Sequence, residues 1–202
     1  AWADQIATPG ALRLLTVIGL GTFGFGMADV LLEPYGGQAL GFSVAETTRL
    51  TALLAAGTLA GFVAASHLLG RGGIPARLAL TGAAIGIPGF AAIILASQGG
   101  GAPTFLLGTL ATGLGAGLFG HATLTASIRG AAANRIGLAL GTWGAVQATC
   151  AGLGVALGGI VRDVITAMPS ADGRMSFAAY NTVFSIEIVF LCLTVLVALP
   201  LA

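Results

Sequence analysis

Lysine is absent from this chain, and charge of either sign is scarce: eight arginines and seven acidic residues leave only 7% of positions charged. A soluble domain carries about 25% charged residues. So few charges cannot clothe a water-soluble fold in which 56% of residues are hydrophobic and the mean hydropathy is +0.99. With no lysine and no arginine run, no basic patch is available for nucleic acid, and the net charge of +1 adds nothing to that case. Cysteine is limited to Cys150 and Cys192, both inside apolar segments, which excludes a disulfide framework and leaves the redox compartment open. No cluster of His, Cys and carboxylate stands at ligand spacing, so a multi-ligand metal site is not expected. Nucleophile triads, phosphate loops and nucleotide fingerprints are also missing. The GLGAG run (113–117) lies within an apolar stretch with no strand before it, so the reading is not an enzyme.

Apolar length is abundant, and the class is an all-α polytopic membrane protein. A bilayer crossing takes about 20 apolar residues, and six stretches reach that length: about 12–32, 46–69, 76–97, 104–128, 136–166 and 177–201. Between them stand PYGG, GRGGIP, QGGGAP, RGAAANR and MPSADGR, each rich in breakers. The fifth stretch is overlong, which implies tilt or an exit before Arg162-Asp163. The 33 glycines sit within the apolar runs, where small residues let helices approach closely. Residues 1–11 read as a cytoplasmic linker or interfacial segment without the layout of a signal peptide. The initial Ala suggests a fragment or a processed chain.

Six crossings put both termini on one side, which collects Arg13, Arg71, Arg77, Arg129 and Arg135. The other side holds Arg49, Arg162 and Arg174. Positive-inside bias then places the termini in the cytoplasm. Such a unit is either a small complete bundle or one half of a twelve-helix transporter-type protein.

Several positions carry chemistry. Gly113, Gly117, His121, Thr125 and Arg129 recur every four residues on one helix face. His121 falls near mid-depth, where three readings stand open: interhelical hydrogen bonding, a substrate or proton path, or a single axial ligand such as the magnesium of a chlorophyll would use. Glu187 lies about ten residues into the last span. An ionised carboxylate at mid-bilayer costs about 2.5–3.5 kcal/mol on insertion scales, so it is protonated, paired or facing water. Tyr180 and Asn181 share its neighbourhood. Trp143 and Gln147, four apart, face an interior surface or lipid. Stripes at Gly57, Gly61 and Ala65, and at Gly137, Gly141 and Ala145, read as close-packing faces.

The stretch DVLLEPYGG (29–37) poses a puzzle. Asp29 and Glu33 close the first apolar run, and Pro34 with Gly36 and Gly37 is expected to end the helix and turn the chain. Acids are disfavoured at a helix C-terminus, so the two carboxylates are expected to answer to a partner: Arg49 across the loop or a docked polypeptide.

The segments ADVLLEPYGGQALGFSVAETTRLTA (28–52), RGGIPARLALTGAAIG (72–86) and GLGAGLFGHATLTA (113–126) resemble the PucC/LhaA family, the bacteriochlorophyll-delivery branch of the major facilitator superfamily. The likeness runs across all six spans and matches the C-terminal six of twelve helices. It implies an assembly factor for photosynthetic light-harvesting complexes in the bacterial inner membrane, with bacteriochlorophyll as a possible cofactor. Its implied partners are antenna polypeptides or the reaction-centre complex, together with the lipid bilayer and the N-terminal six helices. The resemblance makes Asp29, Glu33, Pro34, Tyr35, Gly36 and Gly37 a family motif and candidate docking edge. It assigns no further residue roles. Proton-coupled transport of a small apolar or amphipathic solute, and a purely structural six-helix subunit, stay open as alternatives.

Overall fold

In the computed structural model the described residues are 10–168 and 175–201. Among them the chain is all-helical: α1 (Ala11–Gly26), α2 (Leu32–Ala39), α3 (Val44–Gly70), α4 (Pro75–Leu95), α5 (Gly101–Arg129), α6 (Ile136–Thr166) and α7 (Met175–Ala198). Five stretches of the described residues are long and apolar enough to cross a membrane. One of them, Pro75–Arg129, runs 55 residues and folds back on itself. Its reversal lies at Ala96–Gly100, where Gly99 (φ 113°) and then Gly101 (φ 66°) adopt left-handed backbone that side chains resist. α4 and α5 then pack antiparallel, Gly82 against Gly115 and Gly89 against Gly108.

Local chemistry fixes the other ends. Ser43 and Glu46 form a reciprocal capping box that starts α3: the Ser43 N–H donates to Glu46 Oε2 at 2.8 Å, and the Glu46 N–H donates to Ser43 Oγ at 3.4 Å. Pro75 occupies the first turn of α4, where its missing N–H costs nothing. The C-terminus of α3 is closed by Arg129, whose guanidinium donates to Gly73 O (3.1 Å) and Leu69 O (2.9 Å).

α5 is the central helix, sandwiched between α3 and α4, while α7 lies against α4 and α1, and α6 covers α1. The contacts of α5 depend on glycine. A Cβ on Gly57 would stand 2.6 Å from Leu110 O, and one on Gly115 would stand 2.6 Å from Gly82 O. Helix axes this close are what small residues permit. The main core gathers Tyr35, Phe90, Phe105, Tyr180 and Phe184. Outward, large apolar side chains stand open, among them Leu59, Val63, Leu107 and Leu196, as a lipid-facing surface requires. Buried Thr109, Thr112 and Thr123 return their hydroxyl protons to carbonyls one turn back.

The first apolar segment departs from expectation. It does not end near residue 32 with a PYGG turn; helical structure resumes and the span extends over Ala11–Gln38. Pro34 falls in the first turn of α2, where no backbone donor is needed. Tyr35 is fully buried, edge-on to Tyr180 and Phe184, with its hydroxyl donating to Ile93 O at 3.2 Å. Gly36 allows α2 to close on Leu50 of α3. The chain turns at Leu40–Ser43, with Gly41 at φ 70°. Likewise α6 continues unbroken through Arg162-Asp163, which pair at 2.6 Å. Most of the expected 1–11 linker, along with Asp172 and Arg174, lies outside the described residues.

Candidate functional site

Between α1 and α2 the helix is interrupted at Met27–Leu31. The N–H of Ala28 turns away from the helix and donates to Glu187 Oε1 at 2.6 Å. Glu187 stands at the midpoint of α7 and is 0% exposed. Its second oxygen has no hydrogen-bond partner in the structure. This contact also fixes the depth of Asp29, the next residue. Asp29 is level with the middle of α7 and does not close the first apolar run as its sequence pattern suggests. A non-helical backbone at such depth is tolerated only where protein or a cavity satisfies it.

The cavity is present. About 420 Å³ of space opens beside the break, lined by the end of α1 and the residues after it, by Phe90 of α4, and by the middle portions of α3, α5 and α6. Asp29 is exposed in this wall and has no hydrogen bond or ion pair with any described residue. Thr22 lies two turns before it on the same face, 8% exposed, with a hydroxyl that has no partner. Gln147 and Thr58 add polar groups, and the rings of Phe25, Phe62, Phe90 and Phe119 stand in the wall among alanine, glycine and leucine. No described arginine lines the cavity; Arg162 of α6 lies one turn beyond Gly158, which packs on Met27. The arrangement is a largely apolar chamber with a few convergent polar groups, the usual form of a small-molecule site.

The sequence candidates scatter around it. Gln147 joins Asp29 in the wall. Trp143, one turn away, donates from Nε1 to Thr123 Oγ1 at 3.3 Å. Gly113 and Gly117 face the backbone of α3 at Leu54 and Thr58, so this glycine face is filled by a neighbouring helix. His121 is half-buried beside the cavity, edge-on to Phe62 with centroids 5.8 Å apart, and Thr125 donates to its carbonyl at 2.9 Å. Glu33 is exposed and accepts from Thr51, so neither it nor Asp29 pairs with Arg49. Tyr180 donates to Gln38 Oε1 at 2.9 Å, and Asn181 to Ser97 Oγ at 3.0 Å, both tying α7 to neighbouring segments. Arg71, Arg77, Arg129 and Arg135 gather at the end of the bundle where Arg129 holds α3. Among the described residues no His, Cys and carboxylate groups cluster as for a metal. The sequence reading missed Thr22 and the four phenylalanines, although the spacing of Thr22, Gly26 and Asp29 on one helix face was legible.

Comparison with known proteins follows the whole length of the chain. A family model described as PUCC protein matches residues 1–202. The chain is 62% identical over 203 residues to Protein PucC of Rhodobacter capsulatus, covering 100% of this chain and 44% of that protein. It is 56% identical over 200 residues to Protein PucC of Cereibacter sphaeroides, covering 99% and 44%. A protein from the puhA-bchM intergenic region of Rhodobacter capsulatus is 42% identical over 205 residues, covering 100% and 43%. The chain therefore spans less than half the length of these relatives.

Proposed function

The chain belongs to the PUCC protein family, and from that premise we propose that it serves in the assembly of photosynthetic light-harvesting complexes. In this reading it binds or delivers bacteriochlorophyll, antenna polypeptides or both, and catalyses no reaction. The observation that carries the reading is the family match over all 202 residues. The chain is multi-pass in the bacterial inner, photosynthetic membrane with cytoplasmic termini, supported by the arginine-rich end that holds Arg71, Arg77, Arg129 and Arg135. We propose six crossings, two of them from Pro75–Arg129, forming one half of a twelve-helix bundle of the major-facilitator type. The open face of α6 supports this, because α6 is the least covered of the five candidate spans and a Cβ at Gly137, Gly141 or Gly152 would meet nothing within 4 Å.

The experiment is gentle detergent extraction of the full-length protein from pigmented cells, followed by an absorption spectrum and identification of copurifying chains. Antenna or reaction-centre subunits are expected with it. Their absence together with the absence of a bacteriochlorophyll band would overturn the assembly reading. A second reading, proton-coupled transport of a small amphipathic solute, is favoured by the Glu187 contact at the broken helix beside a cavity. Unchanged proton-dependent uptake in Glu187→Gln vesicles would remove Glu187 from that role.

A further inference from the structure

We propose that the mid-depth cavity is a binding site for a small organic cation, an ammonium head on an aromatic or branched apolar body, with Asp29 as its counter-charge. The inference needs neither transport nor assembly, only occupancy of the cavity.

Charge comes first. Asp29 presents a carboxylate to the cavity with no hydrogen bond or ion pair among the described residues. Glu187, which accepts the N–H of the neighbouring Ala28, supplies no positive group there. No described arginine lines the cavity. A carboxylate at this depth is costly and marks a functional position unless a positive group meets it. The low dielectric of the surroundings strengthens any such pairing.

The walls select the kind of cation. Phe25, Phe62, Phe90 and Phe119 line one chamber with Asp29. Aromatic rings attract cations, and quaternary ammonium groups are recognised in this manner. A strongly hydrated inorganic ion would demand a ring of oxygen ligands. Here, instead, Thr58 and Thr112 bond their own helices, and the rest of the wall sets Asp29, Thr22 and Gln147 among phenylalanine rings and small apolar residues. A second, independent mark of a ligand is Thr22. Its side chain is more than nine-tenths buried in the wall, yet its hydroxyl has no partner in the structure. Such groups are rare without an absent companion. The Gln147 amide gives a further polar contact for the head or for a hydroxyl on the body. About 420 Å³ is a small-molecule volume.

The test uses the full-length protein carrying this chain, purified in a neutral detergent, with benzyltrimethylammonium as probe and neutral N-benzylacetamide as a companion of similar size. Calorimetric titration is expected to show saturable binding of the cation, about tenfold or more tighter than the neutral amide. Asp29→Asn is expected to abolish that preference and Asp29→Glu to keep it. Equal affinity for the two probes, no binding of the cation, or a preference that survives Asp29→Asn would overturn the proposal. Phe62→Leu keeps the question decidable if the Asp29 variants fail to fold, because Phe62 is 39% exposed and outside the main core. It is expected to weaken the cation about threefold or more while leaving the amide unchanged. Unchanged cation affinity in Phe62→Leu would place the ligand elsewhere and overturn the assignment.

Discussion

Glu187 of α7 and Asp29 meet at one helix break, and their roles separate by what each touches. Glu187 accepts the N–H that Ala28 withholds from its own helix. Replacing it with Leu orphans that donor in a dry site, whereas Gln keeps an acceptor at the same place. Glu187→Gln is expected to match the wild type in reversible unfolding from mixed micelles, and Glu187→Leu to fall about 1–3 kcal/mol below it. Equal stability of the two variants would show that the Ala28 contact does not hold the break. Asp29 supports nothing structural among the described residues, so its loss should spare folding. Asp29→Asn is expected to insert at wild-type levels but to lower antenna assembly, measured as membrane antenna absorbance per copy of protein. Parallel loss of both would return Asp29 to a structural role. The mid-span depth of Glu187 was legible in the sequence, whereas that of Asp29 was not. The partner of Ala28 lies 159 residues away, and DVLLEPYGG looks locally like a helix end followed by a turn. Tertiary packing overrides that appearance, because Pro34 falls in a first turn and burial of Tyr35 anchors the residues around it.

Elements reveal a second limit of local pattern. α5 and α6 carry similar small-residue stripes, and the sequence offers no means of ranking them. In the structure the stripe of α5 is filled on two sides by α3 and α4, while Gly137, Gly141, Gly144 and Gly152 of α6 have nothing within 4 Å. What decides the difference is the identity of the neighbour, which is a property of the fold and not of the stripe. Helical membrane character, in contrast, was legible from composition alone, since scarce charge and long apolar runs leave no other arrangement. Gly115→Ala would set a methyl group 2.6 Å from Gly82 O and 3.0 Å from Gly86 N, backbone atoms that cannot rotate away. It is expected to cost about 1–3 kcal/mol by overpacking, read as a lowered thermal midpoint. Gly141→Ala adds its methyl to open space and is expected to leave the midpoint unchanged or raise it slightly, since Ala favours helix over Gly by about 1 kcal/mol. Identical midpoints for the two variants would mean that α4 and α5 are not in this close contact.

For the whole molecule, sidedness is the property that ties the arginine distribution to the fold. Arg129 bonds the carbonyls of Leu69 and Gly73, so the α3–α4 and α5–α6 connections share one end of the bundle. The reversal at Ala96–Gly100 must then lie at the other end, because α4 and α5 pack antiparallel along their lengths. Under the six crossings proposed, Pro75–Arg129 crosses the membrane twice. The check is cysteine labelling of the full-length protein in right-side-out and inverted vesicles, with native cysteines including Cys150 and Cys192 changed to Ala. Cysteines placed singly at Gly72 and Ala131 are expected to react with an impermeant maleimide only in inverted vesicles, where the arginine-rich face is outside. One placed at Gln98, exposed at the reversal, is expected to react only in right-side-out vesicles. A single crossing would instead separate Gly72 from Ala131 onto opposite faces. It would also break the shared end that Arg129 closes, and with it the six-crossing half-bundle proposed for this chain.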